Sequence, residues 1–156
     1  KEIEIRAIKG NEKKFNLPKP MINKNNSNFS FSGLKTSVNL ISKKNQINDV
    51  FINDMAASFQ KTISDIICIK IEKIIIKLIK NNIKTSSLSI VGGVANNEKI
   101  KSELFNMLEK FNMPLLQPPK YMLTDNAAMV AWACIYKYSK LTKGLFFKPN
   151  SRLKIN

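Results

Sequence analysis

Two short segments carry the residue types that could do chemistry. Ser89-Ile-Val-Gly-Gly-Val-Ala-Asn-Asn97 runs from an apolar stretch through two glycines toward a helix start, and Leu123-Thr-Asp-Asn-Ala-Ala-Met129 puts an acidic residue at the head of an alanine-rich helix. Gly92 and Gly93 lack a Cβ and tolerate φ > 0, so a ligand can come close to the backbone there. A helix that follows such a turn offers unpaired N–H groups and the positive end of its dipole, which suits phosphate or ribose oxygens. Each residue also has a plainer reading. Gly92-Gly93 is then a tight strand–helix turn, Asn97 an N-cap, and Asp125 a cap for its own helix and not a metal ligand. Taken together, the two segments point to a nucleotide-and-metal site.

The elements that must position these residues alternate between strand and helix, which predicts an α/β layered domain. The opening decapeptide reads as the end of a helix with Gly10 as its C′ stop. Residues 11–28 are rich in Asn, Lys and Pro and read as an irregular connection. Phe29-Ser-Phe-Ser32 alternates apolar and polar residues, which predicts a short strand. Gly33 then turns the chain into a helix over 34–43. A long amphipathic helix is expected over 48–80, with Phe51, Met55, Phe59, Ile63, Ile66 and Leu78 among its apolar stripe. Asp54 is placed at a cap or a break in it. Residues 88–91 read as the next strand, and Asn96 or Asn97 caps a helix to about 111 with Ile100, Leu104 and Leu108 on one face. Residues 114–117 read as a short strand, 126–140 as the last helix and 145–147 as a final strand.

The net charge is +15, with 26 Lys and Arg against 11 Asp and Glu. A basic surface attracts polyanions, although the abundance of Lys, Asn and Ile is also what an AT-rich genome produces. The chain has no histidine. That excludes a Ser-His or Cys-His nucleophile pair, and any metal-binding histidine must come from elsewhere. Cys68 and Cys134 lie in apolar helical stretches and form no CxxC, so they read as core residues in a reducing, cytoplasmic setting. The most apolar window, residues 63–79, is interrupted by Asp65, Lys70, Glu72, Lys73 and Lys77, so no membrane span is expected. The chain starts at Lys1, and its first methionine is Met21. We therefore expect it to begin inside a longer protein, with half of a cleft contributed by the rest.

Four segments, in order, resemble the tRNA N6-adenosine threonylcarbamoyltransferase family, which also carries an old glycoprotease name. They are Phe29-Ser-Phe-Ser-Gly-Leu-Lys-Thr36, Asp54-Met-Ala-Ala-Ser-Phe59, Val91-Gly-Gly-Val-Ala-Asn-Asn97 and Thr124-Asp-Asn-Ala-Ala-Met129. The resemblance covers essentially the whole chain. It implies the C-terminal half of an actin-like fold shared with sugar kinases and heat-shock ATPases, with residues 29–156 forming that half and residues 1–28 the end of an upstream helix and a connection. It places Asn97 at the family's nucleotide-contacting asparagine, Gly92 and Gly93 in the adenosine-facing turn, and Asp125 at the C-terminal metal ligand. By the same analogy Lys35 lies near the cleft. The family's two metal-binding histidines, its substrate loop and its further acidic and glycine contacts would precede Lys1.

The implied chemistry is acyl transfer from threonylcarbamoyl-AMP, an ATP-derived substrate, to the exocyclic amine of an adenosine next to the tRNA anticodon. The resemblance also implies a divalent metal (iron or zinc), tRNA as substrate and accessory proteins of the threonylcarbamoyladenosine complex as partners. The competing readings are an ATP-dependent small-molecule kinase of the same superfamily and a non-catalytic scaffold that binds partner proteins. Nothing in the chain looks like a covalent nucleophile.

Overall fold

The computed structural model describes residues 2–24, 26–123 and 127–137. Its backbone is organised by one long helix, α3 (Asp49–Lys80), against which the helices Glu2–Ala7 and Glu98–Glu109 pack. At 1.5 Å per residue its 32 residues span about 48 Å. Asn48 starts it by accepting a hydrogen bond from the Phe51 N–H at 2.8 Å. Asp54 is neither a cap nor a break. It sits inside the helix and accepts the Asn11 N–H at 2.7 Å, fastening the irregular segment to α3.

The first helix, α1 (Glu2–Ala7), crosses α3, and α2 is Leu34–Ser42. Gly10 is not the C′ stop that the sequence suggests, because α1 ends three residues earlier. Its role is close approach: a Cβ at Gly10 would overlap the Asn53 carbonyl of α3. Leu17, Leu34, Met55 and Ile66 form one buried cluster there, with Phe15 edge-on to Phe51 at 5.3 Å.

The segment 29–32, expected to be a strand, belongs to no ladder. The Ser30 hydroxyl accepts the Ser32 N–H at 3.2 Å, and the Phe31 carbonyl accepts the Leu34 N–H at 3.3 Å. Local turn bonds have thus taken polar groups that a strand would offer to a neighbour, while Phe29 and Phe31 stay exposed. The strand expected at 29–32 is therefore corrected: it does not join the sheet that holds Leu88–Ser89. Gly33 at φ +86° makes the left-handed step into α2.

The sheet in the described residues is a parallel pair, β1 (Leu88–Ser89) with β2 (Leu115–Leu116), registered Leu88 to Leu115. Between them runs α4 (Glu98–Glu109), so β1–α4–β2 is a crossover unit of the kind parallel pairing requires. Ile100, Leu104, Met107 and Leu108 of α4 are buried with Ile75 of α3 in the second core cluster. The pattern is a mixed α/β fold. An alternating chain of charges ties its parts together. Lys19 pairs with Asp65, Asp65 with Lys61, Lys61 with Glu103, Glu103 with Lys99 and Lys99 with Glu12. The chain joins the irregular segment, α3 and α4.

The smaller unit begins at Asp125, and its described part is one helix, α5 (Ala127–Lys137). Asp125, the end of the predicted 126–140 helix and the strand expected at 145–147 lie outside the described residues. Among the described residues no helix is long and apolar enough to cross a membrane.

Candidate functional site: a cleft beside the two-glycine turn

After β1 the chain reaches Gly92 with φ +88° and ψ 167°, a conformation essentially confined to glycine. The next four residues, Gly93–Asn96, form a single 3-10 turn, and α4 begins only at Glu98. The helix thus starts where Asn96 or Asn97 is expected to cap it, with the 3-10 turn between it and the glycines. Ala95 N–H bonds back to the Gly92 carbonyl at 3.0 Å, which tightens the corner. A Cβ on Gly92 or on Gly93 would meet no atom within 4 Å, so the turn faces open space.

That space includes a cleft of about 790 Å³ whose wall carries Gly93, Asn96, Asn97, Gln60, Glu4 and Lys120, with Ile3, Phe59 and Ile63 as its apolar part. Of the three site residues expected in the Gly-Gly-Val-Ala-Asn-Asn segment, Gly93 and Asn97 therefore share one wall, and Gly92 is not among the residues that line it. Asn97 is the N-cap of α4, its Oδ1 accepting the Ile100 N–H at 3.0 Å. Its Nδ2 donates to Gln60 Oε1, also at 3.0 Å. The capping role read from the sequence is thus occupied, and the side chain borders the cleft while serving it.

Glu4, Gln60 and Lys120 were not singled out by sequence reasoning. Glu4, from α1, accepts the Glu98 N–H at 2.8 Å and so places a carboxylate at the α4 N-terminus, where the helix dipole favours negative charge. Glu98 itself is held below the ordinary carboxylate range by hydrogen bonds from Lys101 and then Lys120. The usable signal for Gln60 was a polar residue on an otherwise apolar helical face, 8% exposed. Glu4 gave none, because its partner lies 94 residues away.

Lys35 is not on this wall. It borders an adjoining apolar groove of about 720 Å³, with Phe31, Leu34, Val38 and Phe51, that shares Ile3, Phe59 and Ile63 with the cleft. Cys68 is half-buried and its thiol is pushed up to about 11, by burial first and then by the charges of Glu103 and Asp65. It is protonated and unreactive at neutral pH, in keeping with a packing role. Among the described residues no three His, Cys, Asp or Glu side chains converge to hold a metal. Those residues do not by themselves fit a metal centre.

Residues 1–132 match the family model of TsaD, tRNA N6-adenosine threonylcarbamoyltransferase. Proteins with that name from Rickettsia massiliae (strain Mtu5) and Rickettsia canadensis (strain McKiel) are 44% and 43% identical to the chain over 155 residues. The one from Rickettsia bellii (strain OSU 85-389) is 43% identical over 154 residues. In each case 97% of this chain aligns, and it spans about 45% of the relative's length. With most of its length matched by the family model, and with Gly93 and the capping Asn97 set on one cleft wall, the chain belongs to the tRNA N6-adenosine threonylcarbamoyltransferase family.

Proposed function

We propose that this chain supplies one wall of an adenylate-binding cleft in a protein that transfers a threonylcarbamoyl group to N6 of adenosine in tRNA. The observation that carries the reading is Gly93, the second glycine of the turn, which lies with Asn97 on the wall of a cleft of about 790 Å³. The family membership supplies the reaction class. The parallel β1–α4–β2 unit is compatible with a fragment of an actin-like fold, which we also propose.

In the transfer, the adenosine amine attacks the carbonyl carbon of threonylcarbamoyl-AMP. A C–N bond forms, the bond from that carbon to the phosphate oxygen breaks, AMP leaves and the amine releases a proton. The chain's own residues act by positioning, which can supply several kcal/mol of the barrier reduction without a covalent nucleophile. Gly92 and Gly93 let the adenylate lie against the main chain. Gln60 fixes the Asn97 amide, and Lys120 sets a positive charge at the rim. Asp125 is proposed as one metal ligand, the others lying outside the described residues, and no step is assigned to the metal. Elemental analysis of Asp125→Ala tests that role: unchanged metal content returns Asp125 to helix capping.

The test of the main reading is calorimetry with a non-hydrolysable ATP analogue, together with modified adenosine measured in tRNA digests. The intact protein is expected to bind the analogue and modify tRNA. Phosphorylation of a small metabolite without tRNA modification would instead support the kinase reading.

A further inference from the structure

We propose that the lysine-lined hollow at the C-terminal end of α3 binds the phosphodiester backbone of RNA. The proposal rests on the functional reading above and adds where, away from the cleft, the chain holds its substrate.

Lys70, Lys73, Lys77 and Lys80 recur at three- and four-residue spacing and so form one stripe of α3. Lys70 is 1% exposed, and its ammonium meets only oxygen dipoles: the Asn26 carbonyl at 2.9 Å, the Lys24 carbonyl at 3.2 Å and the Asn26 amide oxygen at 3.4 Å. Lys73 donates to the Ile22 carbonyl at 2.7 Å. These two lysines therefore hold Ile22, Lys24 and Asn26 against the helix. The result is a hollow of about 500 Å³ lined by Asn23, Lys24, Asn26, Lys73, Lys77 and Lys80.

The charge of this hollow is unbalanced. Among the described residues none of Lys24, Lys70, Lys73, Lys77 or Lys80 pairs with a carboxylate. Glu72, the acidic residue on this part of α3, is paired with Lys110. By contrast the charges at the α3–α4 contact are matched pair by pair. Unpaired ammonium groups beside a buried, dipole-caged cation focus positive potential in a concave surface, which suits a chain of phosphates. The amides of Asn23 and Asn26 add uncharged donors at the same wall. From Gln60 to Lys73–Lys80 the helix rises about 20–30 Å. A folded tRNA can span that separation and a mononucleotide cannot.

The experiment measures tRNA binding to the intact protein by fluorescence anisotropy across a range of salt concentrations. It compares wild type with Lys77→Ala/Lys80→Ala and Lys77→Arg/Lys80→Arg. Among the described residues neither ammonium is bonded within the fold, and melting curves together with ATP-analogue affinity check that fold and cleft persist. The alanine pair is expected to lower the slope of log K against log salt by about two, and the arginine pair to retain it. An unchanged slope in the alanine pair, with wild-type tRNA binding intact, overturns the hollow and leaves the functional reading standing. Loss of binding to an acidic peptide with tRNA binding unchanged would assign the hollow to a protein partner and also overturn it. No tRNA affinity or modification in wild type overturns the functional reading and the hollow with it.

Discussion

Asn97 and Gln60 join α4 to α3 through a single amide–amide hydrogen bond of 3.0 Å at the edge of the cleft. The other end of the Asn97 amide caps α4 by accepting from the Ile100 N–H. One side chain therefore fixes a helix start, a helix contact and a ligand-facing wall. Asn97→Ala is expected to lose about 1 kcal/mol from the cap. It also strands the Gln60 oxygen, which adds a penalty of similar size. Asn97→Asp separates the roles. Aspartate caps well, and the Gln60 amide can turn to donate to it, so the melting temperature should stay near wild type. The added negative charge should still weaken ATP-analogue binding in calorimetry. Full affinity in Asn97→Asp would leave Asn97 as a cap alone.

The two glycines predict opposite behaviour. Gly92 carries the positive φ, so Gly92→Ala should cost about 1–3 kcal/mol although the space around it is open. Gly93 is not in that region, and its substitution should barely move the melting temperature. Gly93→Val should instead place its side chain in the cleft and reduce analogue affinity. If Gly93→Val bound normally, the adenylate would not lie against this turn.

Much of this was legible in the sequence for physical reasons that can be named. The apolar stripe of α3 and the Ile100, Leu104, Leu108 face of α4 follow from the helical period; the α4 face is buried, while in the α3 stripe Met55 and Ile66 are buried and Phe51, Phe59, Ile63 and Leu78 only partly so. Asn97 declared itself as a cap by type and position. Phe29-Ser-Phe-Ser32 misled because alternation describes a strand only when another strand is present to pair with it. Glu4 stayed hidden because its value comes from a contact across almost the whole described length of the larger unit. Gly10 was read as a helix stop when its cause is tertiary, the nearness of the Asn53 carbonyl.

Gly10→Ala tests that nearness. The added Cβ overlaps the backbone of α3 and cannot be relieved by turning a flexible side chain. The crossing of α1 and α3 must open, at a cost of about 1–3 kcal/mol. Chemical denaturation should show a lower midpoint. Because α1 carries Glu4 into the cleft, analogue affinity should fall with it. An unchanged midpoint would mean that α1 does not cross α3 at this distance.

The charge chain through Asp65 predicts an acid limb of stability. Burial pushes the Asp65 carboxyl up, but hydrogen bonds from Lys19 and Lys61, with their charges, outweigh it and hold the group below its ordinary value. A depressed native pKa stabilises the fold above the unfolded value of about 3.9, and the contribution drains away as the pH falls through the lower native value. Lys61 works in the opposite direction at the alkaline end. Burial lowers its pKa, the bonds to Asp65 and Glu103 raise it further, and its contribution is lost only as the pH rises through that raised value. Asp65→Asn should therefore lower stability at pH 7 by about 1–3 kcal/mol, since it weakens charge-assisted bonds at a partly buried site. The difference between wild type and variant should shrink as the pH falls below about 4, where the carboxyl of the unfolded chain begins to take up its proton, and should vanish below the lower native value. Melting temperatures of both proteins between pH 2 and pH 7, at about 0.1 M salt to limit screening differences, measure it directly. A difference that stays constant down to the lowest pH would show that Asp65 contributes through packing and not through its charge.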